Sequence, residues 1–348
     1  MTRVVALVAA IVIVVAALVI RARIDEDSNG DGAARLVCAT ELEAACLDLD
    51  ESVGGLEITI EPAGTTAARL IGLPDADTDD PGFDGWLVPE PWPGIVNTTR
   101  ERDQLRPVLA ADGEVLARSP LVVAMRHDRQ DVLRGVCAGP VAWPCLGDVA
   151  GTAWGDLGAP FPGTVKAAHT NPTVSATGLL VLAQATSEFF DGRTDFFLAD
   201  IETDDFTRWL TRLEDSAEPS PAPFEEMLGK FPAAVYDAVG TTEAEAGPAL
   251  ADASRDRRRA FTLLYPEPVA TADVVLALAA TDDRDRDVEG IATGGTALDA
   301  LAGDGWRVEG EPPGPGLDRD LPIPDAANLP SDPGVYVALQ GAWSRIAR

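Results

Sequence analysis

From residue 35 onward the chain alternates short apolar strands with helix-forming stretches, and that rhythm restricts it to few folds. Residues 35–38 read as a buried strand. Residues 40–47 read as a helix, with Thr40 near its start and Glu43 three residues on in a capping-box spacing. Residues 56–60 alternate apolar and polar as a half-buried strand does. A turn at Pro62-Ala-Gly-Thr-Thr66 opens onto a second helix at 67–71, and 83–88 form the next strand. A βαβαβ succession implies a mainly parallel sheet with helices on its faces, joined by right-handed crossovers.

The alternation continues downstream. Ser119-Pro-Leu-Val-Val-Ala-Met125 is a buried strand, residues 131–136 are helical, and 140–163, rich in Gly, Pro and Trp, read mostly as loop. A strand at 163–169, helices at 179–185, 206–213 and 224–231, a strand at 234–239 and a helix from Thr241 follow. Strands at 261–265 and 273–278 precede a helix at 287–301 that is interrupted at Gly294-Gly295. Residues 309–334, rich in Pro and Gly, are an extended linker or wrap. Residues 335–348 close as a helix.

Of the 348 residues, 57 are Asp or Glu and 27 are Lys or Arg, for a formal net charge of −30. That balance repels a nucleic-acid backbone and anionic lipid head groups, and reads as a solvated acidic surface. The uninterrupted apolar run over residues 4–20 spans about 26 Å as a helix, just short of a bilayer core. It ends in Arg21-Ala-Arg23 with no small-residue cleavage site, which favours an uncleaved anchor over a cleaved signal peptide. Residues 1–23 are therefore an anchor or signal, and 24–34 an acidic stalk. Asp25 to Asp31 resemble half a calcium loop, but Leu36 stands where a bidentate Glu belongs, so a solvated linker fits better. The four cysteines form two close pairs, Cys38 with Cys46 and Cys137 with Cys145. This suits local disulfides in an oxidising compartment; buried free thiols are the alternative, and distance limits are tighter for the first pair. The expected placement is a single-pass protein of the cell membrane with its folded part extracytoplasmic.

The most informative stretch is Asn171-Pro-Thr-Val-Ser-Ala-Thr-Gly178, followed directly by the apolar Leu179-Leu-Val-Leu-Ala-Gln-Ala185. The first N–H groups of a helix lack partners inside it, and the helix dipole adds partial positive charge there. Ser175, Thr177 and the free N–H groups near them are thus placed to hold the polar end of a ligand, although each hydroxyl is equally a plain cap. Thr40, Thr65, Thr66, Thr241 and Thr242 recur at other turn-to-helix junctions, and Ser119 heads a strand beside them. In open parallel sheets ligands bind where strands end and helices begin.

Enzyme signatures are absent from the sequence. It holds no Gly-x-Ser-x-Gly elbow, Walker loop or His-Glu-x-x-His. Of the two histidines, His169 reads as a loop or capping residue and His127 as solvated. The cysteine spacing does not suit zinc, and Asp75-Ala-Asp-Thr-Asp-Asp80 reads as a charged loop. Arg69, Arg118 and Lys166 are the cations nearest the expected cleft, with surface ion pairing the preferred reading for each. No catalytic residue, metal or cofactor is expected.

In their order, Val37-Cys-Ala-Thr40, Pro62-Ala-Gly-Thr-Thr66, Phe83-Asp-Gly-Trp86, Ala117-Arg-Ser-Pro-Leu-Val-Val-Ala124, the Asn171–Leu179 stretch, Gly240-Thr-Thr-Glu243, Leu264-Tyr-Pro266 and Gly305-Trp-Arg307 resemble a family. It is that of bacterial extracellular solute-binding proteins with the type 2 periplasmic-binding fold, in the molybdate- and sulfate-binder-like branch also found with von Willebrand factor A domains. The resemblance spans about residues 35–308. It implies an α/β protein of two lobes, 35–118 plus 271–308 and 119–270, joined by two crossing strands that hinge near 117–121 and 266–274. Residues 309–334 then form the linker and 335–348 the terminal helix. Transferred onto this sequence, ligand contacts fall at Thr40, Thr65, Thr66, Ser119, Ser175, Ala176, Thr177 and Tyr236 or Thr242. The implied partners are a small polar solute, an oxyanion among the candidates, and an ABC permease or a von Willebrand factor A domain. The chain departs from the family in having Ala39-Thr40 where consecutive serines are usual, and in its acidity. The other reading is an envelope interaction or scaffold protein that keeps the fold without a solute; a working binder needs an open pocket, a scaffold a filled or shallow cleft.

Overall fold

A computed structural model describes residues 33–110, 113–218, 224, 228–229, 235–280 and 286–347. The apolar run at 4–20 and the stalk up to residue 32 lie outside these, as does most of the helix expected at 224–231. No described helix is long and apolar enough to cross a membrane.

Among the described residues eight strands, β1 (Ala34–Cys38), β2 (Leu56–Ile60), β3 (Gly85–Pro89), β4 (Val115–Arg126), β5 (Ala167–Ala168), β6 (Ala238–Thr242), β7 (Phe261–Leu264) and β8 (Thr271–Leu278), form one continuous ladder in the order β2-β1-β3-β8-β4-β6-β5, with β7 also on β4. Strands β1, β2 and β3 pair in parallel because each is separated from the next by a helix, Glu43–Ser52 and then Ala63–Ile71. β5 and β6 are also parallel. The antiparallel pairings all involve β4 or β8. β4 joins the two halves. Its residues up to Pro120 pair with β8 beside β3, and from Leu121 they pair with β6 and β7. The ladder is thus two sheets sharing one long strand, each carrying helices, and each sheet with its helices is one lobe. β3 is buried along its whole length, as a central strand covered on both faces should be.

Both expected disulfides are formed, Cys38–Cys46 with Cα atoms 6.7 Å apart and Cys137–Cys145 at 5.7 Å. The first braces the short turn Thr40–Leu42 that leaves β1. Several expectations need correction. The helix Trp143–Val149 occupies a stretch read as loop, and the helix Trp92–Arg102 one where no element was expected; Pro144 and Pro93 stand in their first turns, where proline is favoured. The strand expected at 163–169 contracts to Ala167–Ala168. The interruption expected at Gly294-Gly295 is present: the stretch forms two helices, Arg286–Ala292 and Gly295–Gly303.

The C-terminal wrap is pinned along its length. Asp318 N–H donates to Glu243, Arg118 donates to the Asp325 carbonyl, and Thr271 N–H donates to the Ala327 carbonyl at 3.0 Å. The terminal helix Pro333–Ile346, capped by Asp332, packs on Trp92–Arg102 of the first lobe and on the helices Ala176–Phe189 and Asp204–Asp215 of the second. Residues 309–347 thus strap both lobes across the shared strand.

Candidate functional site

The helix Ala176–Phe189 begins as its sequence demands, with Ser175 at the cap accepting from Gly178 N–H at 3.1 Å. The helix-start donors are occupied from the other lobe. Glu41, in the turn after β1, places Oε1 2.7 Å from Ser175 Oγ, 2.7 Å from Ala176 N and 3.3 Å from Thr177 N. Thr40 Oγ1 donates to the other Glu41 oxygen at 3.3 Å. Beside this contact Gly64 N–H donates to the Val174 carbonyl at 2.9 Å, so the start of the helix Ala63–Ile71 meets the second lobe backbone to backbone.

A second carboxylate lies just behind. Glu245 Oε2 accepts from Thr241 Oγ1 at 2.7 Å, Thr177 Oγ1 at 3.1 Å, Thr242 Oγ1 at 3.1 Å and Thr242 N at 3.2 Å. Thr242 and Glu245 form a reciprocal capping box on the helix Glu243–Asp252. Burial, reinforced by the nearby Glu41 charge, holds the Glu245 carboxyl above its ordinary range. Ser119, buried where β4 passes between the sheets, accepts from Ala244 N–H at 2.9 Å and so caps the same helix.

The structure therefore joins Thr40, Ser175, Ala176, Thr177 and Thr242 through two carboxylates that the sequence reading did not name. Glu245 was legible from its spacing to Thr242; Glu41 had no local signal. Other expected contacts sit elsewhere. Thr66 is buried and donates to Glu61 at 2.5 Å, and Thr65 is exposed. Tyr236 lies in a separate apolar cluster with Val122 and Phe261 and donates to the Glu218 carbonyl. Arg69 pairs with Glu61 at 3.3 Å and Arg118 with Asp273 at 3.1 Å. His169 is buried, its Nδ1 against the Thr170 carbonyl at 2.7 Å and its Nε2 2.9 Å from Glu214. Burial alone would lower the imidazole pKa, but the Glu214 carboxylate outweighs it and raises it. Trp343 Nε1 also donates to Glu214, which ties the terminal helix to the second lobe. No group of metal-ligating side chains occurs among the described residues.

Near the far end of the Ala176–Phe189 helix, Glu188 accepts from Trp143 N–H at 3.0 Å, while its other oxygen is buried without a hydrogen-bond partner. Burial pushes its carboxyl from 4.5 up to about 8. The folded state then holds the proton more tightly than the unfolded chain, so stability declines as pH rises from 4.5 through about 8. Glu188→Gln keeps the acceptor for Trp143. It should abolish that decline and make the variant more stable than wild type at pH 8 by up to a few kcal/mol, read from urea unfolding at several pH values.

A separate cavity of about 740 Å³, whose lining shares no residue with that polar contact, opens between the first lobe and the strap, with Leu180 and Thr194 reaching it from the second lobe. Glu90, Glu101 and Asp273 line it from the first lobe, Leu180 and Thr194 from the second, and the strap closes it with Tyr336 among others. No Lys, Arg or His is among its described lining residues. Its size falls in the range of small-molecule sites.

No protein-family model and no curated protein matches the chain. Solved structures do. The apo ferric ion-binding protein A of Pasteurella haemolytica is 13% identical with a TM-score of 0.59, covering 91% of this chain and 98% of that one. Apo FutA2 from Synechocystis PCC6803 is 12% identical at 0.56, covering 91% and 99%. A periplasmic thiamin binding protein is 10% identical at 0.53, covering 90% and 96%. At these identities the likeness is one of fold: the chain has the α/β fold of these periplasmic binding proteins.

Proposed function

We propose that this chain is an extracytoplasmic solute-binding protein, tethered through residues 4–20, that holds a small polar solute between its lobes for an ABC-type permease or for sensing. The observation that carries this reading is the cavity of about 740 Å³ between the first lobe and the strap, which Leu180 and Thr194 of the second lobe also line. The lining holds the carboxylates of Glu90, Glu101 and Asp273, the last already paired with Arg118, and no basic residue among the described lining, which suits a neutral or cationic solute better than the oxyanion suggested by the helix starts. The order of motifs supports the molybdate- and sulfate-type branch by resemblance, and with it a von Willebrand factor A domain as another partner. Thermal unfolding of the purified chain against organic cations, sugars, amino acids and oxyanions tests the reading. A ligand at 100 times its dissociation constant should add about 2.7 kcal/mol.

A second reading, an envelope scaffold that keeps the fold without a solute, is favoured by one observation. The helix-start donors at Ser175–Thr177 and the threonines around Glu245 are satisfied by the chain's own carboxylates. No thermal shift with any solute class would select it.

A further inference from the structure

Glu41 and Ser175 are 134 residues apart in sequence and belong to different lobes. Three donors converge on one Glu41 oxygen, two of them backbone N–H groups of the first helical turn. A helix start offers this arrangement to an anion, and such charge-assisted bonds are roughly twice as strong as neutral ones. The acceptor is preorganised as well. The turn that carries Glu41 lies inside the Cys38–Cys46 loop, so the carboxylate is presented from a braced element. A second cross-lobe bond, Gly64 N to the Val174 carbonyl, lies next to it.

We propose that Glu41 is a tethered ligand. Its carboxylate occupies a carboxylate-recognition seat at Ser175, Ala176 and Thr177 and so latches the lobes closed from within the chain. Closure then does not wait for solute, and the seat accepts a small free carboxylate once Glu41 is removed. This holds independently of what the neighbouring cavity binds, because it needs only the seat and its occupant.

The test compares wild type with Glu41→Ala and Glu41→Gln, using formate as probe and chloride at equal ionic strength as control. Glu41→Ala should lower the melting temperature by roughly 3–6 °C and enlarge the radius of gyration in small-angle scattering, with Glu41→Gln intermediate. Formate at about 100 mM should restore at least half of the loss in Glu41→Ala and leave wild type unmoved. Unchanged melting temperature and radius in Glu41→Ala would overturn the latch. An equal formate shift in both proteins would overturn the seat. Should the alanine variant not fold, Glu41→Gln, which keeps the side chain's shape and removes its charge, decides the latch by melting temperature and radius, and Glu41→Ser, which vacates the seat, decides the formate reading. A solute that shifts wild type but not through Glu41 bears on the cavity alone, so the two readings fail separately.

Discussion

Replacing Arg307 by Met should destabilise the protein by about 3–5 kcal/mol in urea or heat unfolding. Arg307 Nε lies 2.7 Å from Glu243 Oε2 and its Nη2 2.9 Å from Oε1, and the Glu243 side chain is fully buried. Tyr265 Oη donates to the same carboxylate at 2.6 Å, and Asp318 N–H at 2.9 Å. Burial first, and then the Glu243 charge, hold the Tyr265 hydroxyl well above its ordinary pKa. Removing the guanidinium strands a carboxylate with no access to water, and desolvation rather than the lost contact dominates the cost. The same arginine also pairs backbone to backbone with Arg118 in β4 and anchors the strap at Asp318. The damage should therefore spread to the crossing strand, the helix Glu243–Asp252 and the strap together. Changing Glu243 to Met alongside Arg307→Met should recover most of the loss, because no buried charge then remains. A single-variant cost below about 1 kcal/mol would show that water reaches Glu243.

Gly64→Ala should force the lobes apart. A Cβ at Gly64 would lie 2.1 Å from the Thr173 carbonyl oxygen and 2.7 Å from Val174 Cα. Both are backbone atoms of the other lobe, so no rotamer change relieves the overlap. In an ordinary helix, alanine in place of glycine gains roughly 0.5–1 kcal/mol. Here the sign should reverse to a loss of about 1–3 kcal/mol, with a larger radius of gyration. Gly135, in the helix His127–Val136, has open space where its Cβ would go, and Gly135→Ala should show the ordinary gain. If Gly64→Ala instead stabilises as Gly135→Ala does, the lobes do not meet at Val174 in solution.

How much of this was legible depends on the range of the signals. The strands β1, β2 and β3 and the helices between them announce themselves through local periodicity, as does the buried strand after Ser119. The paired cysteines and the Ser175 cap are likewise short-range, and each is formed. Local reading fails where one residue has two meanings. Pro144 lies in a Gly-, Pro- and Trp-rich stretch that reads as loop, yet proline in a first turn gives up an N–H that had no intrahelical partner. It fails also where hydroxyls find partners nearby: Thr66 turns to Glu61, five residues back, and Ser119 to the helix start at Ala244. The Glu41 contact spans the two lobes, and nothing in Thr40-Glu-Leu-Glu43 distinguishes its glutamate from any solvated one. A helix start with free donors in the sequence reading is, in the folded chain, a helix start with an occupant.

The most direct test of a solute held between the lobes is calorimetric titration of the solute found by thermal shift into wild type and two variants. Thr98→Trp narrows the cavity from the first lobe, and Thr194→Trp from the second. The interlobe site predicts that each variant loses at least about tenfold in affinity, or about 1.4 kcal/mol, with an unchanged fold. Wild-type affinity retained in both variants would place the solute elsewhere and contradict the proposed site.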